Sequence, residues 1–445
     1  MLNIKKILEN PNLVKQAIIN KGIKHINPTD VDTLVDLYNK SIEIKKQIER
    51  LRAQRNKNAE LLKQSDVTTE ERSAIIADGK RLKEEISKLE AEYNDLKNEY
   101  YDIWQYIPNI PSNDTPIGKD ESDNIEIKVW GDTNKFDFEP KTHDVLLNNL
   151  GLLDTKRGVK VAGFRGYFLL GDLARLHWAL LTYALDLLQQ KGYTMVIPPT
   201  LVHHWAMFGT GHFPWGEQDA YQVTKSGLTE DQTGKALETA PYLVGTAEVP
   251  LVGMFKDELI PEDKLPIRLV GFSPAYRKEV GSHAKDLKGI IRVHEFWKIE
   301  QVIIGTDNYD LAEEYLEELT MNQEEILQAL QIPYHRLSMC TGDMGEPQYK
   351  KFDLEAWFPG RNKYQEVGSH SIMGDFQARR NNIRVLKSDK TKAYALTLNG
   401  TAAASPRLLA ALIENNQTEN GDVLIPEVLQ KYMFGKTKLE AVSLY

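Results

Sequence analysis

The sequence predicts an α+β chain of at least two domains: an N-terminal antiparallel α-helical coiled-coil arm, then an antiparallel β-sheet flanked by helices. Three observations carry this. A heptad ladder runs through residues 29–105, a proline-rich breaker closes it, and the strand-like runs beyond follow one another without crossover helices. At 445 residues the chain exceeds ordinary single-domain size, and the composition divides it into 1–110 and 111–445.

Residues 1–28 read as a short basic helix and a loop closed by Pro28. In the arm, the second helix carries Ile75, Gly79, Leu82, Ile86, Leu89, Tyr93, Leu96 and Tyr100 in steps of four and three, which keeps one apolar edge on an α-helix. Leu34, Leu37, Ile44, Ile48, Leu51 and Leu62 give the first helix a looser complementary edge. Between them Thr68 precedes Glu71 by three residues, the capping-box spacing that restarts a helix after a turn over Gln64–Val67. Helices of roughly 35 residues reach about 50 Å, which implies a long target. The net charge of −9 argues against indiscriminate nucleic-acid coating, yet the first helix carries Lys40, Lys45, Lys46, Arg50, Arg52, Arg55, Lys57 and Lys63 against three glutamates. That face suits phosphates, or a solvated flank laced with ion pairs.

The single cysteine, Cys340, excludes an internal disulfide framework, and the chain has no signal peptide or long apolar run, so a cytoplasmic protein is expected. P-loop, dinucleotide-fingerprint, paired-Cys and HExxH patterns are missing, so nucleotide chemistry would need another architecture. After the breaker Ile107–Pro116, helical patterns cover Leu173–Lys191, Leu311–Leu330 and Ala402–Glu414. Strand-like runs lie near Thr194–Ile197, Ile267–Phe272, Phe296–Ile304, Ile383–Leu386 and Ala393–Leu398.

Three segments carry candidate chemistry. Gly192–Pro199 ends a strand at a proline, which suits an edge that meets a partner as well as plain packing. Pro274–Glu279 and the return Ile291–Glu300 alternate, placing Arg277 and Glu279 on one strand face and Phe296, Lys298 and Glu300 on the other's. Arginines there clamp phosphate oxygens, a phenylalanine stacks a purine and carboxylates accept from amino groups, although cross-strand salt bridges would use the same residues. In Leu398–Arg407 a strand is expected to turn at Gly400 into a helix whose dipole, beside Arg407, suits a polyphosphate.

Together these residues resemble the seryl-tRNA synthetase family of the bacterial type, over nearly the whole chain. Pro199 matches the motif 1 proline, Arg277–Glu279 with the Arg292–Glu300 return matches motif 2, and Arg407 matches the motif 3 arginine. Asn109–Asp123, Thr246-Ala247-Glu248 and Asp375–Arg380 are family-like strings, and the helical arm belongs to the same pattern.

The resemblance implies a class II catalytic domain that joins serine to ATP as seryl-adenylate and passes the seryl group to tRNA(Ser), with tRNA(Sec) as a further candidate. It implies Arg277, Glu279 and Arg407 as catalytic residues, and Arg277, Lys278, Glu279, Arg292, Phe296, Glu366, Val367, Gly368, Ser369 and Arg407 around ATP. Glu366 and Ser369 match positions that hold Mg²⁺, an oxygen set in keeping with that ion. Serine would meet Thr246, Ala247, Glu248, Arg277, Glu300, Asn399 and Thr401, with Glu300 facing either its ammonium or its hydroxyl. The arm would meet tRNA through Lys45, Lys46, Arg50, Arg52 and Arg55, and motif 1 implies a homodimer.

Four departures stand against the pattern. Gly368 and Ile372 break a Ser-Ser-x-Ser-Asn run, Lys285-Asp286-Leu287 replaces Arg-Asp-Thr, Glu295 replaces a glutamine and Pro406 a glycine. Ile372 is expected to remove a polar side chain close to the nucleotide. Two rival readings follow, a synthetase-like tRNA-binding or regulatory protein without catalysis and an aminoacyl ligase for a carrier protein.

Overall fold

A computed structural model describes residues 1–64, 68–134, 136–223, 240–280 and 289–444. The chain divides into two compact units, Leu2–Pro108 and Asn109–Tyr445. The turn expected over Gln64–Val67 lies mostly outside the described residues, as does Lys285–Leu287.

The first unit is all helix: α1 (Ile4–Glu9), α2 (Pro11–Asn20), α3 (Asp30–Leu61) and α4 (Thr69–Trp104). Residues 1–28 thus hold two short helices where one is expected. Asn10 separates them, its side chain accepting from Leu13 N at 3.1 Å while Pro11 starts the second turn. The Thr68–Glu71 box is formed, Glu71 N donating to Thr68 Oγ1 at 3.2 Å and Thr68 N to Glu71 Oε2 at 2.9 Å.

Pairing along α3 and α4 runs in opposite senses. Tyr38 meets Tyr100, Arg52 meets Glu90 at 2.6 Å and Asn58 meets Asp78 at 2.8 Å, so the hairpin is antiparallel. Its seam is Ile44, Ile48 and Ile86 with Leu51, Leu89, Tyr93 and Leu96 against them. Toward the turn it thins: Ile75 is only half-buried and Gly79 has no neighbour within contact distance of a built Cβ.

The second unit is organised by eight strands: β1 (Ile125–Trp130), β2 (Thr194–Val196), β3 (Ile267–Tyr276), β4 (Glu295–Gly305), β5 (Tyr334–Ser338), β6 (Lys350–Phe358), β7 (Lys363–Gly374) and β8 (Leu396–Ser405). Their order is β1-β5-β6-β7-β8-β4-β3-β2, antiparallel throughout except where β2 joins β3 in parallel. Helices α5 (Gly171–Gln190), α6 (His204–Thr210), α7 (Glu248–Gly253), α8 (Tyr309–Ala329), α9 (Phe376–Asn381) and α10 (Arg407–Asn415) flank it. Period-two alternation gives the sheet two uses. Ile299 and Ile303 of β4, Ile372 of β7 and Leu398 of β8 enter the main core with Leu176 and Leu180 of α5 and Leu316 and Leu319 of α8. Even-numbered β4 residues point the other way, where Val302 and Ile304 pack with α7 and α9 residues such as Leu251 and Ala378.

Three expectations are corrected. Gly400 is mid-strand, opposite Gln301 on one side and His370 on the other, and no turn occurs there. The helix expected over Ala402–Glu414 begins only at Arg407, because Ala402–Ser405 completes β8. Alanine prefers a helix in isolation, but here Ala403, Ala404 and Ser405 pair with Ile299, Lys298 and Trp297 of β4, and the ladder overrides the propensity. The run near Ala393–Leu398 is broken: Lys392–Tyr394 joins Arg384–Leu386 and Leu259–Pro261 in a separate small sheet, while Leu396 starts β8. Among the described residues no helix is long and apolar enough to cross a membrane.

Candidate active site

A cavity of about 470 Å³ opens on the polar face of the sheet. Its floor is Phe296, Lys298 and Glu300 of β4, Asn399 and Thr401 of β8, and Ser369 and Ser371 of β7, each set reached by skipping alternate residues.

One end is cationic and aromatic. β3 stops at Tyr276, so Arg277 and Glu279 reach the cavity from the turn beyond it and not by strand alternation; Glu279 takes a left-handed φ of 55°. Arg277 is fixed by its own amide, which donates to His294 O at 3.0 Å, and by Nε and Nη2, which donate to Gly245 O at 3.3 and 3.2 Å. Its guanidinium lies 5.4 Å from the centre of the Phe296 ring. Arg292 Nη1 donates to Glu279 Oε2 at 2.6 Å, and Arg165 Nη1 stands 4.0 Å from that oxygen.

Across the cavity, Arg407 opens α10 directly after Pro406, which occupies the N-cap and follows a cis peptide bond. Arg407 Nη1 donates to Glu366 O at 2.7 Å and reaches Glu366 Oε2 at 3.4 Å. Burial would raise the Glu366 carboxyl, but Arg407, Lys351, Arg277 and Lys298 together hold it below the ordinary glutamate range. Beneath Ser369 in the β6–β7 ladder, Asp353 pairs with Lys351 at 2.9 Å. Burial, opposed by Lys351 and reinforced by Glu366, pushes its carboxyl up to about 6.

The other end is acidic and closed. Glu248 is buried and accepts from Gln377 Nε2 at 2.7 Å; the same amide holds Thr210 O at 2.9 Å, and Thr397 Oγ1 donates to Gln377 Oε1 at 2.6 Å. Lys298 Nζ lies 2.5 Å from Glu300 and donates to Thr246 Oγ1 at 3.4 Å. Both glutamates are shifted upward by burial, against the pull of Gln377 and Lys298 on Glu248 and of Lys298 on Glu300. Such a pocket has ionic partners for an ammonium and a carboxylate on one small molecule.

Of the expected residues, Arg277, Glu279, Arg292, Phe296, Glu366, Val367, Gly368, Ser369, Arg407, Thr246, Glu248, Glu300, Asn399 and Thr401 line this one cavity. Two do not. The Lys278 ammonium sits 5.8 Å from the Tyr221 ring, and Ala247 is fully buried in the core cluster under β3 and β4. Sequence reasoning gave no role to Lys298, Lys351, Asp353, Gln377 or His212. The alternation of Lys350–Phe358 before a Pro-Gly turn was a signal for β6, and Lys298 already shared a face with Phe296 and Glu300.

Two departures find physical reasons. Ile372 is fully buried in the main core, and the wall at this point is Ser369, Ser371 and Met373, so the expectation that Ile372 strips a polar group from the nucleotide's surroundings is corrected. A Cβ on Gly368 would lie 2.0 Å from Gln323 Oε1, so the buried Gln323 already occupies the space of a side chain there. On the arm, Lys45, Lys46, Arg50 and Arg55 are exposed, while Arg52 is paired with Glu90.

Residues 1–111 match the seryl-tRNA synthetase N-terminal domain, and residues 232–416 match the tRNA synthetase class II core domain (G, H, P, S and T). The serine–tRNA ligase of Thermodesulfovibrio yellowstonii is 38% identical over 97% of this chain and 99% of its own length; that of Deinococcus radiodurans is 37% identical over 99% of each. Among solved structures, seryl-tRNA synthetase from Pyrococcus horikoshii complexed with ATP superimposes with a TM-score of 0.89 at 37% identity, covering 100% of both chains. The cytoplasmic serine–tRNA ligase of Naegleria fowleri in complex with AMP gives 0.86 at 29% identity, covering 100% of this chain and 99% of that one. With both domain profiles and full-length relatives in agreement with the cavity's two-ended chemistry, the chain belongs to the seryl-tRNA synthetase family of class II aminoacyl-tRNA synthetases.

Proposed function

We propose that the cavity activates L-serine with ATP and that the seryl group then passes to the terminal ribose of tRNA(Ser). The observation that carries this is the convergence of Thr246, Glu248, Arg277, Phe296, Glu300 and Arg407 on one cavity from four separate stretches of chain. The serine carboxylate is ionised at neutral pH, so its oxygen attacks the α-phosphorus without a base, the bond to the bridging oxygen breaks and pyrophosphate leaves. Alignment and charge neutralisation do the work. Arg277 clamps the α-phosphate, Arg407 holds the outer phosphate, Phe296 stacks the adenine, and Glu279 with Arg292 borders the nucleotide. Glu248 and Glu300 take serine's polar groups with Thr246, Asn399 and Thr401. In the second step a ribose hydroxyl attacks the adenylate carbonyl and AMP departs.

Glu366, kept ionised by its cations, and the Ser369 hydroxyl are oxygen donors at the phosphate end, with the buried Asp353 Oδ1 beneath them left without a hydrogen-bond partner among the described residues. They suit Mg²⁺, which binds through one or two carboxylates plus substrate phosphates and spreads phosphate charge when present. The exposed cations of the arm follow the tRNA backbone, tRNA(Sec) being a second substrate candidate. A homodimer in the cytoplasm completes the reading; the exposed apolar Trp178 of α5, Met195 of β2 and neighbouring Ile197 and Leu201 support it. The non-catalytic reading leaned on Ile372 and the altered loops, and the burial of Ile372 in the core removes the first of these supports. Serine-dependent ATP–pyrophosphate exchange, followed by charging of a tRNA(Ser) transcript, tests the proposal. Exchange that ignores serine overturns it.

A further inference from the structure

His212 lines the acidic end of the cavity, two residues past α6, and no residue type or motif in the sequence marks it. Thr210 Oγ1 spends its one proton on the helix carbonyls of Ala206 and Met207, at 3.1 and 3.3 Å. With its proton given there, it acts as acceptor towards His212 Nδ1, 2.9 Å away, and the matching tautomer carries the ring proton on Nδ1. That leaves Nε2 with a lone pair, and Nε2 has no hydrogen-bond partner among the described residues. The same Thr210 is tied through its carbonyl to Gln377, and Gln377 to Glu248. The imidazole is thus braced by the group that braces a buried carboxylate.

From this geometry we infer that the His212 ring is protonated at Nδ1 and that its Nε2 accepts a hydrogen bond from the α-ammonium of the bound amino acid. An ammonium presents three donors, and the carboxylates of Glu248 and Glu300 with this nitrogen make three acceptors at one end of the cavity. Arg277 and Lys298 then remain for the amino acid's carboxylate. The ring is neutral at working pH, since burial, then Arg277 and Lys298, push its pKa down to about 4; a neutral ring binds no phosphate, and a group this acidic is a poor proton acceptor. His212 is accordingly a binding residue and not a base.

The inference rests on the proposed function, and the test separates the two. Exchange assays on full-length wild type, His212→Ala and His212→Gln give KM for serine, KM for ATP and the rate with alanine. The expected result is a rise in KM for serine of about ten- to a hundredfold in His212→Ala, an unchanged KM for ATP, an unchanged serine-to-alanine ratio, and partial recovery in His212→Gln, whose amide oxygen accepts. In ¹⁵N-histidine-labelled wild type, one Nδ1-protonated ring should shift at Nε2 when serine alone is added. Unchanged KM for serine, a selective change in KM for ATP, lost discrimination against alanine, or an Nε2-protonated ring overturns it. Wild type without serine-dependent exchange overturns the functional reading, and the ¹⁵N titration still decides whether His212 meets serine.

Discussion

Replacing Gly400 by alanine tests how the floor of the cavity is built. Gly400 lies between Asn399 and Thr401 with an ordinary strand backbone, so alanine meets no conformational objection. The objection is steric: its Cβ would stand 2.5 Å from His370 Cδ2 and 3.3 Å from Leu319 Cβ. The His370 ring is fully buried, and its Nε2 donates to Thr401 O at 3.0 Å. Overpacking of this kind costs about 1–3 kcal/mol, and the hydrogen bond, if broken by the ring's retreat, about 0.5–1.5 kcal/mol more. A total of about 1.5–4.5 kcal/mol corresponds to a fall of about 2–6 °C in apparent Tm for a unit of this size. Because the displaced ring holds Thr401, KM for serine should rise while KM for ATP does not. Scanning calorimetry and pyrophosphate exchange on Gly400→Ala, His370→Ala and the double variant check this. In the double variant the new methyl group occupies space the ring has left, so its destabilisation should fall short of the sum of the two by more than about 1 kcal/mol. Additive effects, or a Gly400→Ala protein as stable as the parent, would refute the close-approach argument.

Three other outcomes follow from the same geometry. KM for serine should climb as pH falls through the upward-shifted carboxyls of Glu248 and Glu300, starting above the ordinary glutamate value of about 4.3, whereas KM for ATP should hold to lower pH because Glu366 is shifted downward; pH profiles of the two constants that move together contradict this. His335 lies between Glu126 and Glu355, at 2.7 Å from each, and although burial opposes it, hydrogen bonds to Glu355 and Glu126 raise its pKa. Its contribution to stability is therefore complete below the unfolded value of about 6.5 and is lost as pH rises through the higher folded value. Melting curves across that window should show the loss in wild type and a flatter profile in His335→Gln; parallel profiles would count against it. On the arm, replacing Lys45, Lys46, Arg50 and Arg55 together by alanine should weaken tRNA charging, leave pyrophosphate exchange intact, and lower the log–log salt slope by about 0.9 per lost phosphate contact; equal loss of both activities would sink the assignment.

Much of the molecule was legible before folding. The arm was, because a heptad edge and a capping box are properties of neighbours along one helix: Ile44 and Ile48 share one edge of α3, and Thr68 meets Glu71, by helical geometry alone. The residues of the cavity were legible through motif strings, and alternation in β4 correctly placed Phe296, Lys298 and Glu300 on one face. What a strand's neighbours demand was not. Ala402–Ser405 reads as helix by propensity and becomes strand because it continues β8 along β4; Gly400 reads as a turn and is a gap left for His370. Ile372 looked like damage to the site, and the pleat turns it into the core.

By itself, then, the sequence determined the helical arm, which follows from local periodicity and a capping box, and, through the family resemblance of short contiguous strings, many but not all of the side chains that line the cavity. Only the tertiary structure decided that Lys298 neutralises Glu300, that Gln377 ties Glu248 to Thr210 and His212, and that Lys278 turns away toward Tyr221. Those partners come from segments far apart in the chain, and which of them meet is set by strand order and pleat, quantities that no short stretch of residues contains.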